Sequence, residues 1–116
     1  MGRAWLIAAG LAAFVGAPLA IATEAPASMT QRRCYICHAD RETLAGPAFA
    51  DIAAAYRVEA DPLGTMARVI RSGAASGGPW HMPPHPEVSP REARAMARYI
   101  MSLEPAPATR EPGRSQ

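Results

Sequence analysis

The sequence predicts an all-α domain of about four short helices. Three observations carry that expectation. Apolar residues recur at helical rather than alternating spacing in the stretches that begin at Ala48, Pro62 and Pro90. Two of those stretches open on a capping residue followed by proline, Asp61-Pro62 and Ser89-Pro90. The third observation is the pentapeptide Cys34-Tyr35-Ile36-Cys37-His38, which holds the only two cysteines of the chain and has no Val/Ile-rich alternating run on either side.

The pentapeptide carries the chemistry. A Cys-x-x-Cys-His run is the attachment signature of c-type haem. Two thiols three residues apart on one helical turn share a face and can each add to a haem vinyl group. His38, the next residue, can then give the iron a nitrogen ligand. Two rival readings stand beside this one. A thioredoxin-like thiol pair needs a βαβ context, which the flanking sequence does not offer. A zinc site would join Cys34 and Cys37 to His81 and His85, but 43 residues separate Cys37 from His81. That is far beyond the roughly 12–15 of a compact finger, and it leaves His38 without a role.

Composition bounds the rest. The chain has 116 residues, 49% of them apolar, and a formal charge of +2, which allows one small domain. All 12 basic residues are arginine, and they form no stripe of the kind that binds nucleic acid. Residues 1–22 read as an export signal, with Arg3 as the positive region, Trp5 to Val15 as the apolar region and Ala20-Ile21-Ala22 as the cleavage pattern. The competing reading is an uncleaved membrane anchor, since residues 4 to 23 carry no charge. Either way the domain is expected outside the cytoplasm, in the periplasm, where bacteria attach haem c. Cleavage leaves 94 residues, with a folded domain expected over 27–103 and a Pro-rich disordered tail over 104–116. So small a domain rarely holds together on its side chains alone, and a covalently held apolar cofactor would supply the missing buried surface.

In chain order, the first helix is expected from Ala27 to Ala39, after Pro26, with Met29 on an inward face and Arg32 and Arg33 in solvent. The turn Leu44-Ala45-Gly46-Pro47 follows. An iron-bound histidine usually donates its second ring nitrogen to a carbonyl, and a rigid Gly46-Pro47 turn can present one to His38. Phe49, Ile52, Ala53 and Tyr56 mark a short second helix. Asp61 caps a third, whose apolar face is Leu63, Met66, Ala67 and Ile70 and which Gly73 closes. Ser89, Pro90 and Glu92 form a capping box for the last, with Ala93, Met96, Ala97, Ile100 and Met101 inward and Arg91, Arg94 and Arg98 outward.

Residues 73–88 hold three glycines and four prolines, a long loop of the kind that is usually functional. Within it lies Pro79-Trp80-His81-Met82-Pro83-Pro84. Met29, Met66, Met96 and Met101 sit on helical apolar faces and read as core, whereas Met82 is held in a loop by two prolines. Its thioether is a soft ligand suited to haem iron. His81 next to it offers an imidazole instead, and His85 reads as solvent-facing.

With these pieces in place the sequence resembles the small bacterial class I monohaem cytochromes c, periplasmic electron carriers, over roughly residues 27 to 103. The likeness rests on Cys-x-x-Cys-His, Leu-Ala-Gly-Pro-Ala-Phe, Ile-Ala-Ala-Ala-Tyr, Met-Pro-Pro and the terminal Ala-Arg-Tyr-Ile-Met-Ser-Leu, in that order. It implies an all-α class I cytochrome c fold wrapped around one covalent haem c, with the first and last helices crossing. It implies thioether links through Cys34 and Cys37, iron ligands His38 and Met82, and a carbonyl from Pro47 to His38. Tyr99 matches the aromatic that packs the last helix on the first. Trp80 falls where relatives carry a tryptophan near a haem propionate, though closer to the methionine than usual.

The function this implies is one-electron transfer between redox partner proteins, a donor dehydrogenase or respiratory complex and an acceptor oxidase or reductase. No small-molecule substrate or nucleic acid is expected, and a membrane only if the leader stays. A second reading is the electron-accepting subunit of a periplasmic dehydrogenase, because Trp-His-Met-Pro-Pro-His-Pro resembles haem subunits paired with molybdenum enzymes, sulfite-oxidising ones among them. A peroxidase or gas-binding protein would need a labile or absent sixth ligand, which the Pro-braced Met82 argues against.

Overall fold

The computed structural model describes residues 24–75 and 81–105. The leader expected over 1–22, Trp80, and the tail beyond Pro105 lie outside the described residues. Among the described residues four α-helices follow one another: α1 (Ala27–Gln31), α2 (Phe49–Tyr56), α3 (Pro62–Ser72) and α4 (Pro90–Ser102). A 3₁₀ turn, Cys34–Ile36, stands between α1 and α2. The all-α expectation holds.

The first helix is shorter than its sequence suggests. It ends at Gln31, and Arg33 turns into the left-handed region at φ 62° before the 3₁₀ turn begins. In a 3₁₀ turn positions i and i+3 eclipse, so breaking the α-helix aligns Cys34 with Cys37 more directly than continuing it would. Amides of Cys37 and His38 both donate to the Cys34 carbonyl, at 3.3 and 3.1 Å. Arg32 also departs from the expected solvated role. It is half-buried and donates to Glu92 Oε1 at 3.3 Å, tying the end of α1 to the start of α4.

α2 has no side-chain cap. Its first two amides, of Phe49 and Ala50, donate instead to the carbonyls of Ala39 and Asp40, at 2.9 and 3.0 Å. The loop after His38 therefore satisfies the donors that an isolated helix would leave open. α3 begins as its sequence predicts, with Asp61 Oδ1 accepting from the Gly64 amide at 2.9 Å, and ends at Gly73, φ 77°. α4 carries the complete capping box of Ser89 and Glu92. At its far end Arg57 and Arg41 donate to the carbonyls of Leu103 and Glu104, at 3.0 and 2.9 Å.

The long loop contains a short strand pair that sequence alone did not suggest. β1 (Ala74–Ala75) runs antiparallel to β2 (His81–Met82), with Ala74 opposite Met82 and Ala75 opposite His81. The core is one cluster in which α3 and α2 pack on α4. It gathers Met29, Phe49, Ala53, Met66, Ala67, Ile70, Ala93, Met96, Ala97, Tyr99 and Ile100. Val88, read as loop, is also buried there, 1% exposed. Met101 and Leu63 pack against the cluster at half burial.

Candidate functional site

His38 is positioned from three sides. Its Nδ1 lies 2.8 Å from the Pro47 carbonyl oxygen, within hydrogen-bonding distance. Its ring stacks on Phe49, with centroids 4.9 Å apart and planes 18° from parallel. Gly46 passes so close that a Cβ there would lie 2.5 Å from His38 Cε1. The turn needs glycine at 46 because the imidazole occupies the space of a side chain. A proton on Nδ1, donated to Pro47, leaves Nε2 with its lone pair free.

Phe49 is itself held edge-on by Tyr35, centroids 5.7 Å apart at 82°. Tyr35 and Tyr99 both donate to the Asp40 carboxylate, at 3.3 Å to Oδ1 and 2.6 Å to Oδ2. One acid thus joins the attachment turn to α4. Burial, helped by the neighbouring Asp40 and the other tyrosine, pushes the Tyr99 hydroxyl well above the ordinary tyrosine range. Asp40 was not singled out in the sequence. A lone Asp in a loop carries no signal until its two tyrosine partners, 5 and 59 residues away, are known.

Both cysteines are free thiols, Cys34 half-buried and Cys37 exposed. Burial pushes the Cys34 thiol up; its own amide works in the opposite direction, and the Glu87 carboxylate adds to the rise. A redox-active Cys-x-x-Cys pair has a lowered pKa, so this environment does not suit thiol–disulfide exchange. The zinc arrangement is not assembled either. Among the described residues no three His, Cys, Asp or Glu side chains gather as a metal site, and Cys34, Cys37, His81 and His85 are all described.

Met82 is half-buried against the core cluster, while Met29, Met66 and Met96 lie inside it. His81 is exposed. His85 is not simply solvent-facing: it is half-buried, and its Nδ1 lies 3.1 Å from Glu87 Oε1. Around the attachment turn, Ile36 and Leu44 present apolar side chains to solvent, 63% and 48% exposed.

These donors fit a haem. Two accessible thiols stand at the attachment spacing, and an imidazole is oriented with one nitrogen spare. A soft thioether sits in a separate braced loop.

Comparison with known proteins points the same way. The family model described as Cytochrome c matches residues 22–104. Cytochrome c-551 of Pseudomonas denitrificans is 38% identical over 73 residues, covering 62% of this chain and 88% of its own. Cytochrome c-552 of Nitrosomonas europaea is 34% identical over 109 residues, covering 89% of this chain and 99% of its own. The crystal structure of wild-type Nitrosomonas europaea cytochrome c552 matches with a TM-score of 0.62, covering 66% of this chain and 95% of that one. A match that runs the length of a relative, on a fold that presents the attachment thiols and an oriented histidine, makes this chain a member of the cytochrome c family, haem-bearing electron carriers rather than enzymes.

Proposed function

We propose that the protein is a periplasmic one-electron carrier whose haem iron is held between His38 and Met82. The observation that carries this reading is the bond between His38 Nδ1 and the Pro47 carbonyl, 2.8 Å long. It fixes the tautomer that leaves Nε2 for a metal. When bound, a haem with imidazole and thioether ligands supplies a one-electron couple of raised potential.

The chain's own residues do the rest. Cys34 and Cys37 hold the macrocycle by two thioether bonds. Phe49 and Gly46 keep the imidazole plane from rotating. Met82 is braced by Pro83 and Pro84, which remove backbone freedom and amide donors from the segment that must stay in place. Three of the other described methionines, Met29, Met66 and Met96, are committed to the core, which supports Met82 as the sulfur available for iron. Redox proteins are the partners. Near-neutral charge favours docking through short-range apolar contact more than long-range steering, and exposed Ile36 lies within the Cys34–Ile36 turn with exposed Leu44 in the loop that follows.

The ligand reading is tested on the ferric protein. It is expected to be low-spin and to show the weak long-wavelength sulfur-to-iron charge-transfer band. Met82→Ala is expected to abolish that band, and Met101→Leu to keep it. Because His81 can take the vacated position, Met82→Ala is compared with Met82→Ala, His81→Ala. A parent without the band, or a band that survives Met82→Ala, overturns the assignment.

A further inference from the structure

The segment that carries Met82 is fastened to the end of α3, and two of the fastenings come from one residue. Gly73 lets the chain turn at φ 77°, and the segment passes so close that a Cβ on Gly73 would lie 2.5 Å from the Met82 carbonyl oxygen and 2.9 Å from the Pro84 nitrogen. Pairing of Ala74 with Met82 holds the near end. Beyond Met82, Pro83 and Pro84 have no amide hydrogen, so the next donor the chain can offer is the amide of His85. That amide donates to the Arg71 carbonyl at 3.1 Å. The Arg71 side chain then reaches further along the same segment, and its Nε donates to the Val88 carbonyl at 2.9 Å. Val88 is 1% exposed and immediately precedes the Ser89 cap of α4. Arg71 is thus half-buried between the methionine segment and the start of the last helix.

We infer that Arg71 is a positioning residue for the sixth iron ligand: it clamps residues 82–88 to α3 and sets how readily an outside ligand displaces the Met82 thioether. The inference rests on the reading of Met82 as an axial ligand. A thioether is a neutral, weakly donating ligand, so its occupancy depends on how often its segment opens. Local opening of a braced segment is an equilibrium of its own, distinct from global unfolding. The bond from guanidinium to carbonyl is charge-assisted and partly desolvated, and its loss shifts such an equilibrium by roughly tenfold to a hundredfold. The backbone bond from His85 and the strand pair remain when the side chain is changed, so the segment loosens without detaching.

The experiment titrates imidazole into the ferric holoprotein and follows loss of the sulfur charge-transfer band. Arg71→Met, which keeps the apolar stem, is expected to bind imidazole at least about tenfold more tightly than the parent. Arg71→Lys is expected to fall between the two, because an ammonium can still donate to Val88. Asp61→Ala removes the cap at the opposite end of α3. It is expected to lower the melting temperature while leaving imidazole affinity within about twofold, since it lies outside the clamp. Should Arg71→Met not accumulate, Arg71→Leu carries the same test, its side chain having no donor for the Val88 carbonyl. An affinity indifferent to Arg71, or one that Asp61→Ala shifts as far, overturns the inference. A parent lacking the band, or keeping it in Met82→Ala, overturns the ligand reading instead. A parent with a Met82-dependent band and an Arg71-independent affinity overturns the inference alone.

Discussion

Replacing Tyr99 with phenylalanine removes a single oxygen from the inner side of α4 and keeps the ring, which is 7% exposed. That oxygen donates at 2.6 Å to Asp40 Oδ2, a long-range bond that ties the inner side of α4 to the loop following the Cys34–Ile36 turn. A hydrogen bond to a charged group contributes about 1.5–3 kcal/mol net. Asp40 keeps Tyr35 at 3.3 Å and is only half-buried, so water can replace part of the loss. The expected cost therefore lies near the lower end, about 1.5–2 kcal/mol. For a domain of this size that is a fall in Tm of roughly 6–15 °C. The assay is thermal unfolding of the holoprotein followed by far-UV circular dichroism, beside Tyr35→Phe, whose longer bond predicts a smaller loss. The pH dependence has a definite sign. Burial first, then Asp40 and Tyr35, raise the folded pKa of Tyr99. The bond's contribution is therefore complete below the ordinary tyrosine value of about 10 and is lost as pH rises through the raised folded value. The gap between parent and Tyr99→Phe should close only in strong alkali. A variant within about 0.5 kcal/mol of the parent at neutral pH, or a gap that widens in alkali, refutes the role given to this bond.

Two further outcomes follow from the attachment turn. Gly46→Ala places a Cβ against the His38 ring, so it should displace the imidazole from the Pro47 carbonyl and cost about 1–3 kcal/mol as overpacking; a holoprotein melting temperature equal to the parent's would speak against that packing. The native protein should have the mass of residues 23–116 plus one haem, and the Cys34→Ala, Cys37→Ala pair should lose the haem mass; an apoprotein mass, or an intact Met1, would contradict attachment or cleavage respectively.

Much of this molecule was legible without coordinates because its signals are local. Asp61-Pro62 and Ser89-Pro90 with Glu92 announce two helix starts, and the structure begins α3 and α4 there. Helical spacing placed Met66, Ala67, Ile70, Ala93, Met96, Ala97 and Ile100 inward, and all are buried. Cys-x-x-Cys-His needs no context, since five consecutive residues state the chemistry. The Gly46-Pro47 turn was legible only through that chemistry: the need of an iron-bound histidine for a carbonyl partner pointed to it, and the Pro47 oxygen stands 2.8 Å from His38 Nδ1.

Other features depended on contacts between residues far apart in the chain. Helical propensity runs on past Gln31, but the turn at Arg33 and the 3₁₀ geometry at Cys34 break the helix there. Arg32 looked solvated because its partner, Glu92, lies 60 residues away. Asp40 acquires a role only when Tyr35 and Tyr99 converge on it, and Arg71 only when the Met82 segment folds back over Gly73. The sequence by itself determined the starts of α3 and α4, their inward faces and the haem chemistry, since each is written in residues within a turn or two of one another. Only the tertiary structure decided which polar side chains fasten those pieces together. A hydrogen bond between distant residues leaves no periodicity to read.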